Sequence, residues 1–310
     1  MKDSRNGVKR MNELMKIYKR NFPTNIREES YVDKLLNNKN NRIIKKRNEC
    51  NQLIAVSVIN ENTILMLCVD KEYRNKGIGS QLLKESEIYI TNKGYDIMNI
   101  GVGNGYITPG VPTSHKYVES ENENLYKEIT DDARIFFEKR DYFHNEDCNI
   151  FDMRLNLDEF NKTEHNVGDT INGITYRWAT IKDLDEIIKC VDDAFEKFTK
   201  YYKNENLYKK NNKEKVLIAL KDNEVVGTLI VCIETEGKNI GSVGCTAVKH
   251  SYRKKHIGVN IVIIGTKYLK DIGLKYACLG YTYTGLDHMY GYSGYKISCY
   301  YMMATKKLKR

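Results

Sequence analysis

The sequence predicts a mixed α/β protein built from two tandem domains, and three observations support this prediction. The chain has 310 residues, the length of about two ordinary domains. Residues 69–79 (VDKEYRNKGIG) recur 179 residues later as residues 248–258 (VKHSYRKKHIG), with six of eleven positions identical. Each copy lies between an apolar run typical of a buried strand and a stretch with helical spacing. Solenoid units are roughly 20 to 50 residues long, so this repeat indicates a duplicated domain.

The predicted elements follow a similar order in both halves. Those of the first half are helices at residues 11–19 and 28–36, a strand meander at 52–69 and a helix at 80–92. Those of the second half are a helix at 181–194 and antiparallel strands at 215–221, 224–233 and 242–248, which lead into the second copy of the repeat. Each domain is therefore expected to contain a mixed, mostly antiparallel sheet flanked by helices.

A polar segment separates the two halves. Residues 161–173 (NKTEHNVGDTING) contain few apolar side chains and end in Asn172 and Gly173, a turn signal. This segment is predicted to be the linker between an N-terminal domain at residues 1–160 and a C-terminal domain at residues 174–310.

The first copy of the repeat has the composition of a phosphate-binding loop. Its sequence RNKGIGS places two glycines and two cations where a helix begins, so free backbone N–H groups and the positive end of the helix dipole point to one place. Glycine lets a diphosphate approach the amides and permits a positive φ. Arg74 and Lys76 add positive charge. The alternative is an ordinary strand-to-helix turn with two surface cations, which does not explain the duplication.

The second copy differs at one position that matters. His256 stands where Gly77 stands in the first copy, while Arg253 and Gly258 are retained. If this position needs a left-handed backbone, a β-carbon costs roughly 1 to 2 kcal/mol. The second loop is therefore expected to bind its ligand more weakly, or to have lost binding altogether.

The pattern RxxGxG, formed by Arg74, Gly77 and Gly79 after the strand-ending Val69, resembles the acyl-CoA diphosphate loop of the Gcn5-related N-acetyltransferase (GNAT) superfamily. It matches neither a Walker A loop nor a Rossmann fingerprint. The resemblance implies two tandem GNAT-like domains, acetyl-CoA as the co-substrate and no metal. The positions implied to contact the cofactor are Val69, Arg74, Asn75, Lys76, Gly77, Ile78, Gly79 and Ser80 in the first copy, and Val248, Arg253, Lys254, Lys255, His256, Ile257 and Gly258 in the second.

The resemblance also implies a tyrosine that protonates the departing CoA thiolate. Tyr290, four residues before Gly294, stands at that position in the second half, whereas Phe137 stands there in the first half. A phenol near pKa 10 can protonate a thiolate whose conjugate acid lies near 8.5, but phenylalanine carries no proton. For the first half, Tyr126, Tyr142 or an ordered water are the alternatives, and Tyr290 itself is also explained by packing alone.

The function that follows is acyl-CoA-dependent N-acylation of a primary amine on a small molecule, by direct attack in a ternary complex. A strand-edge N–H near Val69 or Val248 is expected to stabilise the oxyanion. Glu234 and Glu236 are weak candidates for the general base, because exposed strand charges explain them better. The alternatives are a non-catalytic acyl-CoA-binding regulatory protein and an enzyme that acetylates amines of proteins or peptides.

Two further stretches are expected to shape an acceptor pocket. The first is the Gly- and Pro-rich loop at residues 101–112 with the polar insertion that follows it to about residue 124. The second is a set of tyrosines whose rings and hydroxyls suit an amphipathic cavity: Tyr281, Tyr283, Tyr290, Tyr292, Tyr295, Tyr300 and Tyr301.

Composition limits the partners and the compartment. The formal net charge is +9, from 50 Lys and Arg against 41 Asp and Glu, which suits a solvated lysine surface and also steers an anionic cofactor. Nothing in the sequence indicates nucleic-acid binding, and no apolar run is long enough for a membrane span. Eight cysteines without a CxxC pair indicate reduced core thiols and a cytoplasmic location. The chain is expected to be a monomer, with its halves as a pseudo-dimer, or a homodimer.

Overall fold

The computed structural model describes residues 12–22, 29–101, 107, 110–113, 131–144, 150–233, 239–283 and 285–309. These residues form two compact units. The first contains the chain up to Ile150 together with Tyr300–Arg310, and the second contains Phe151–Cys299. Each unit has a sheet flanked by helices, so the predicted α/β class is confirmed.

The first unit begins with two helices and a strand meander. Its helices are α1 (Glu13–Asn21), α2 (Glu29–Leu36), α3 (Ile78–Asn92) and α4 (Asp132–Glu138). Its strands are β1 (Arg42–Arg47), β2 (Leu53–Asn60), β3 (Thr63–Val69), β4 (Ile97–Ile100), β5 (Val111–Thr113) and β6 (Phe143–His144). The strands β1, β2 and β3 pair in antiparallel order, and β3 pairs with β4 in parallel. The strand β3 lies at the predicted residues and is almost entirely buried, as its apolar run predicts.

The second unit repeats this order. Its helices are α5 (Leu184–Phe195), α6 (Thr199–Tyr202), α7 (Ile257–Asp271) and α8 (Asp287–Tyr292). The strands from Ile150 onwards are β7 (Ile150–Asn156), β8 (Thr170–Ile171), β9 (Ile174–Trp178), β10 (Glu214–Lys221), β11 (Glu224–Ile233), β12 (Ile240–Val248), β13 (Tyr276–Tyr283), β14 (Lys296–Met302) and β15 (Ala304–Lys307). The strands β9 to β12 are antiparallel neighbours, and β12 pairs with β13 in parallel.

The two halves of the sequence exchange a strand. In the first unit, β15 lies between β4 and β6, pairing Ala304 with Ile100 on one side and with His144 on the other. In the second unit, β7 lies between β13 and β14. Because β7 follows β6 in the sequence and β15 follows β14, each sheet holds a strand that comes from the other half of the chain. Met302, Ala304 and Leu308 are consequently part of the first unit's hydrophobic core.

The division into units differs from the predicted boundaries. The predicted linker, residues 161–173, lies inside the second unit and includes β8. Its turn signal is real but marks a hairpin, because Thr170 pairs with Thr175, Ile171 pairs with Ile174, and both residues between them have positive φ. Asn-Gly is the favoured sequence of a two-residue hairpin turn with that backbone. A turn signal alone does not distinguish a hairpin from a domain boundary.

Candidate functional site

The first repeated loop joins β3 to α3 and contains two residues with left-handed backbone. After Val69 the chain forms a short 3-10 turn over Lys71–Tyr73, and α3 begins at Ile78. Asn75 has a φ of 61°, and Gly77 has a φ of 79° with a ψ of −9°. A β-carbon built on Gly77 meets none of the described atoms within 4 Å. Backbone conformation, rather than lack of space, is therefore what favours glycine here.

The amides that open α3 are available to a ligand. Among the described residues, the first α3 amide with a backbone acceptor is that of Gln81, which donates to the Gly77 carbonyl at 3.0 Å. The amides of Ile78, Gly79 and Ser80 precede it, as in the first turn of any α-helix. Together with the positive end of the helix dipole, they make the loop suited to an anion.

The second glycine of each loop lies against a side chain of the helix that contains the position of the candidate acid. A β-carbon on Gly79 would lie 3.5 Å from the Phe136 ring, and one on Gly258 would lie 3.1 Å from the Met289 sulfur. Phe136 and Met289 each directly precede the position of the candidate acid. The small size of glycine thus brings this helix close to the loop in both units.

Arg74, the arginine of the motif, links the loop to the end of β3 and to α1. The Arg74 Nε donates to the Val69 carbonyl at 2.9 Å, and its Nη2 donates to the Asn21 side chain at 3.2 Å. Arg253 repeats this arrangement, with bonds to the Val248 carbonyl at 3.4 Å and to the Ala194 carbonyl at 3.2 Å. The sequence predicted that Arg74 adds charge and, from the resemblance, that both arginines contact the cofactor. The structure shows that they also tie the strand end to the helix before the sheet.

The second loop has the backbone of the first, with a different residue at the strained position. Lys254 has a φ of 62°, matching Asn75, and His256 has a φ of 59° with a ψ of 8°, matching Gly77. The condition set out from the sequence is therefore met: the position is left-handed, and His256 carries a β-carbon there. The lysines next to them, Lys76 and Lys255, lie over the rings of Tyr73 and Tyr252.

Replacing His256 by glycine is expected to stabilise the chain and to strengthen ligand binding at the second loop. Relief of left-handed strain is worth roughly 1 to 2 kcal/mol, offset in part by the greater freedom of glycine in the unfolded chain, so a net gain of up to about 1 kcal/mol is expected. Chemical denaturation measures the free energy of unfolding. Lys255→Gly is the matched control, because Lys255 has no positive φ, so the variant has the entropic loss and the loss of the Tyr252 contact without any relief of strain. Equal losses for both variants would contradict this assignment.

The end of each parallel pair presents a backbone N–H towards the site. The Asp70 amide donates to the Ile54 carbonyl at 2.8 Å, and the Lys249 amide donates to the Val226 carbonyl at 3.0 Å. Successive amides of a strand point to opposite sides, so the N–H groups of Val69 and Val248 face β4 and β13. Among the residues that the structure describes, parallel pairing extends to Ile64 in β3 and to Ser242 in β12. Both amides lie beyond the last paired residue.

A cavity of about 1310 Å³ adjoins the loop of the first unit. Its wall includes Val69, Gly77, Gly79, Ser80, Phe136 and Phe137. Charged side chains of both signs line it: the cations Lys16, Arg20, Arg47, Lys71, Arg74 and Arg140, and the carboxylates Glu13, Asp70, Glu72 and Asp132. Two of the cations are paired within the wall, Arg20 with Asp70 and Arg47 with Glu13. Ligand pockets commonly measure roughly 300 to 1,000 Å³, so this cavity is large enough for an elongated molecule. Tyr301, one of the tyrosines expected to line an acceptor cavity, is part of its wall.

The first unit offers no substitute acid among the described candidates. Phe137 is buried at the position where the second half has Tyr290. Tyr142 is buried in the core, where its hydroxyl donates to Glu87 at 3.0 Å, and burial raises its pKa. Cys68 lines the cavity, but burial raises the pKa of its thiol to about 12, so it is not a thiolate at neutral pH. Tyr126, Glu234, Glu236 and Cys148 lie outside the described residues, as does most of the expected acceptor loop.

Tyr290 of the second unit lies against the end of β12. Its hydroxyl is 3.1 Å from the Thr246 Oγ1, and burial raises its pKa to about 12. The strand carries a bulge there, since Thr228 pairs with Ala247 while Ile230 pairs with Gly244, and Cys245 has a φ of 50°. The strands β12 and β13 continue beyond their last recorded pair, Ser242 with Cys278. The candidate acid thus stands next to the strand end that bears Val248.

Sequence reasoning missed Arg140, whose side chain reaches the N-terminal end of α3. Its guanidinium carbon is 3.9 Å from the centroid of the Phe136 ring. Its Nη2 donates to the Ser80 hydroxyl at 2.7 Å, and its Nη1 donates to the Phe136 carbonyl at 2.7 Å. In the sequence, Arg140 stands in the charged stretch EKRD and resembles a solvated surface residue. Only the packing of α4 against α3 brings it to the loop.

Comparison with known proteins gives the family. Residues 40–142 match the model of the acetyltransferase (GNAT) domain, and residues 181–290 match that of the acetyltransferase (GNAT) family. A search of curated proteins found no match. The described residues contain no group of His, Cys, Asp and Glu suited to a metal ion, and none of their helices is long and apolar enough to cross a membrane.

Several solved structures are similar to the chain. One is the GCN5-related glucosamine N-acetyltransferase region of a fungal multi-domain GH3 β-N-acetylglucosaminidase, with a TM-score of 0.69, 16% identity and coverage of 94% of this chain and 36% of that chain. This chain thus spans about a third of the fungal protein. A tandem GNAT protein from the clavulanic acid biosynthesis pathway has a TM-score of 0.69, 11% identity and coverage of 96% and 94%. A GNAT protein from Sphaerobacter thermophilus has a TM-score of 0.64, 14% identity and coverage of 96% and 92%. At these identities the likeness shows the fold alone.

Two matched domains and the repeated loop together establish that the chain belongs to the GNAT superfamily as a tandem-domain member. It is a GNAT-type N-acetyltransferase, and the enzymes of this family generally use acetyl-CoA without a metal.

Proposed function

We propose that the chain transfers an acetyl group from acetyl-CoA to a primary amine of a small molecule, by direct attack in a ternary complex. The observation that supports this most strongly is the loop geometry common to both units. In each, a left-handed residue leads into a helix whose first amides have no helical acceptor, next to a strand end whose N–H is turned towards the same side. The amides suit the diphosphate of the cofactor, and the strand N–H suits the thioester oxygen.

The chemistry needs few groups from the protein. The amine nitrogen attacks the thioester carbonyl, the C–S bond breaks, and the CoA thiolate leaves with a proton while the nitrogen gives up one of its own. The N–H of Val69 or Val248 would stabilise the oxygen as it gains charge, and the loop would hold the acyl group in line for attack. Burial in the protein strengthens such hydrogen bonds relative to water.

We assign the transfer step to the second unit, because Tyr290 is there and Phe137 cannot replace it in the first. With a pKa of about 12, the phenol keeps its proton across the physiological range and can deliver it as the thiolate leaves. It is a weaker acid than an exposed tyrosine. Its deprotonation is therefore expected to limit the rate only near pH 12, and not between pH 6 and 10.

Tyr290→Phe is expected to lower kcat by about 100-fold or more, within the range of losses typical of a missing general acid. Steady-state kinetics with acetyl-CoA and a responsive amine measure this. Tyr295→Phe is the matched control, because the Tyr295 hydroxyl is bonded to Thr266 within the core and not to the loop. A kcat within twofold of the parent chain for Tyr290→Phe would show that the second unit does not use this acid.

A second candidate function is supported by Phe137. A unit that has a well-formed loop and a large cavity but lacks the acid is suited to bind acyl-CoA without turning it over. Regulation by acyl-CoA would then be the role of the first unit. In that case acetyl-CoA bound at the first loop changes the rate at the second and is not itself consumed.

Calorimetric titration with acetyl-CoA, followed by a thiol-release assay over a panel of amines, tests the proposal. We expect two binding sites and acetyl-CoA-dependent release of CoA with at least one amine. Glucosamine is a sensible first acceptor, because a structure with this fold is named for that activity. The absence of any acetyl-CoA binding would overturn the acyltransferase assignment.

A further inference from the structure

We infer that Arg140 binds the diphosphate of acyl-CoA in the first unit and makes the first loop the tighter of the two cofactor sites. This inference rests on the proposed function. It assigns a ligand contact to a residue outside the RxxGxG loop, and it predicts an asymmetry between two loops whose backbones are alike.

The guanidinium of Arg140 is fixed at the place where the anion would bind. Ser80 is the third residue of α3, so a donor 2.7 Å from its hydroxyl lies beside the free amides of the first turn. The ring of Phe136, which rests on Gly79, supports the guanidinium from one side. Arg140, Ser80, Gly79 and Gly77 all line the same cavity.

Most of the donors of Arg140 remain available. A guanidinium has five N–H groups, and in the described residues two of them are used, on the Ser80 hydroxyl and the Phe136 carbonyl. These two bonds and the stacked ring fix the group in advance, so binding a phosphate costs little further side-chain entropy. Arg74 also uses two of its donors, and they hold it against the Val69 carbonyl and the Asn21 side chain of α1. Arg140 differs in position, because its bond to Ser80 holds it at the start of α3.

The second unit serves as an internal comparison. When Phe137 is aligned with Tyr290, Ser293 takes the place of Arg140, and the repeat places Val259 opposite Ser80. Both partners of the hydrogen-bonded pair are thus absent from the second loop together. Ser293 is buried, and its hydroxyl has no partner among the described residues. The second loop also carries the strained His256, so two independent features weaken it in the same direction.

Calorimetric titration with acetyl-CoA tests the assignment, using full-length chains that all carry Gly258→Asp. The added carboxylate repels phosphate at the second loop, so the titration reports on the first loop alone. Arg140→Met is expected to raise Kd about 10- to 100-fold, the range expected for loss of a charge-assisted hydrogen bond. The Kd of Arg140→Lys is expected to lie between those of the parent chain and Arg140→Met, because lysine keeps the charge but lacks the planar set of donors that can bind two phosphate oxygens at once. Lys139→Met removes the same charge one residue away and is expected to change Kd less than twofold.

A second ligand separates direct contact from a structural role. S-acetylpantetheine lacks the diphosphate, so its Kd, followed by chemical-shift titration, is expected to be the same in Arg140→Met and in its parent. High salt is expected to narrow the difference between the two chains for acetyl-CoA only. Equal losses for both ligands would show that Arg140 merely holds α4 against α3, and a Kd within twofold of that of Lys139→Met would remove any role. If the chain without any substitution binds acetyl-CoA at neither loop, the proposed function fails as well.

Discussion

A chain that stops after Cys299 is expected to lose the fold of the first unit, and with it acetyl-CoA binding at a loop more than 200 residues away in sequence. The deletion removes the last three residues of β14 and all of β15, which pairs with both β4 and β6, and takes Met302, Ala304 and Leu308 out of the core. It also removes Lys306, which is paired with Glu87 of α3 at 2.9 Å. Loss of a buried Leu or Met side chain alone costs roughly 2 to 5 kcal/mol, against a total domain stability of about 5 to 15 kcal/mol.

Limited proteolysis and calorimetry together test this expectation. The truncated chain should be cleaved rapidly within the first unit, while fragments of the second unit persist. A chain ending at Leu308 is the matched control, since it keeps every residue of β15 and the buried Leu308. Full acetyl-CoA stoichiometry in the chain that ends at Cys299 would show that the exchanged strand is dispensable.

Gly77→Val is expected to abolish tight acetyl-CoA binding at the first loop and to reduce the calorimetric stoichiometry by one site. A β-branched residue is strongly disfavoured at a φ of 79°, and the strain is of the order of 1 to 2 kcal/mol or more. The new side chain would also stand between the α3 amides and the diphosphate. A β-carbon at residue 77 meets none of the described atoms within 4 Å, so the loss in affinity is expected to exceed the loss in stability.

Gly94→Ala serves as the control for strain without a role in binding. Gly94 has a φ of 90° and follows the C-terminal end of α3, and a β-carbon built on it meets none of the described atoms within 4 Å. The Gly94→Ala variant should lose similar stability and keep its acetyl-CoA affinity. A parallel fall in affinity for both variants would attribute the effect of Gly77→Val to a general weakening of the first unit.

The sequence predicted the parts of the fold that depend on local pattern. The strand at residues 224–233 has the predicted bounds, and β3 ends at Val69, where the predicted meander ends, because mainly apolar stretches of strand length favour a buried strand. Residue type also drew attention to the left-handed position in the loop, because glycine stands there in the first copy and histidine in the second. The stereochemistry of a single residue is a local property.

What the sequence could not predict depends on packing between distant segments. The four residues of β15 (ATKK) were not predicted as a strand, and nothing in them identifies the strands with which they pair. The role of Arg140 is set by Phe136 and Ser80, one of which is 60 residues away, and nothing in EKRD distinguishes it from a surface cation. The bracing role of Arg74 was hidden for the same reason: its partners are a carbonyl and a side chain from α1.

The strand exchange limits when the first unit can fold during synthesis of the chain. Ribosomes add roughly 5 to 20 residues per second, so β4 and β6 emerge many seconds before residues 304–307 exist. During that interval both strands present unpaired edges, which are templates for association with other chains. The first unit, which contains the proposed cofactor loop, can complete its sheet only after residues 304–307 have been synthesised. A chain released before that point is therefore expected to lack acetyl-CoA binding at the first loop.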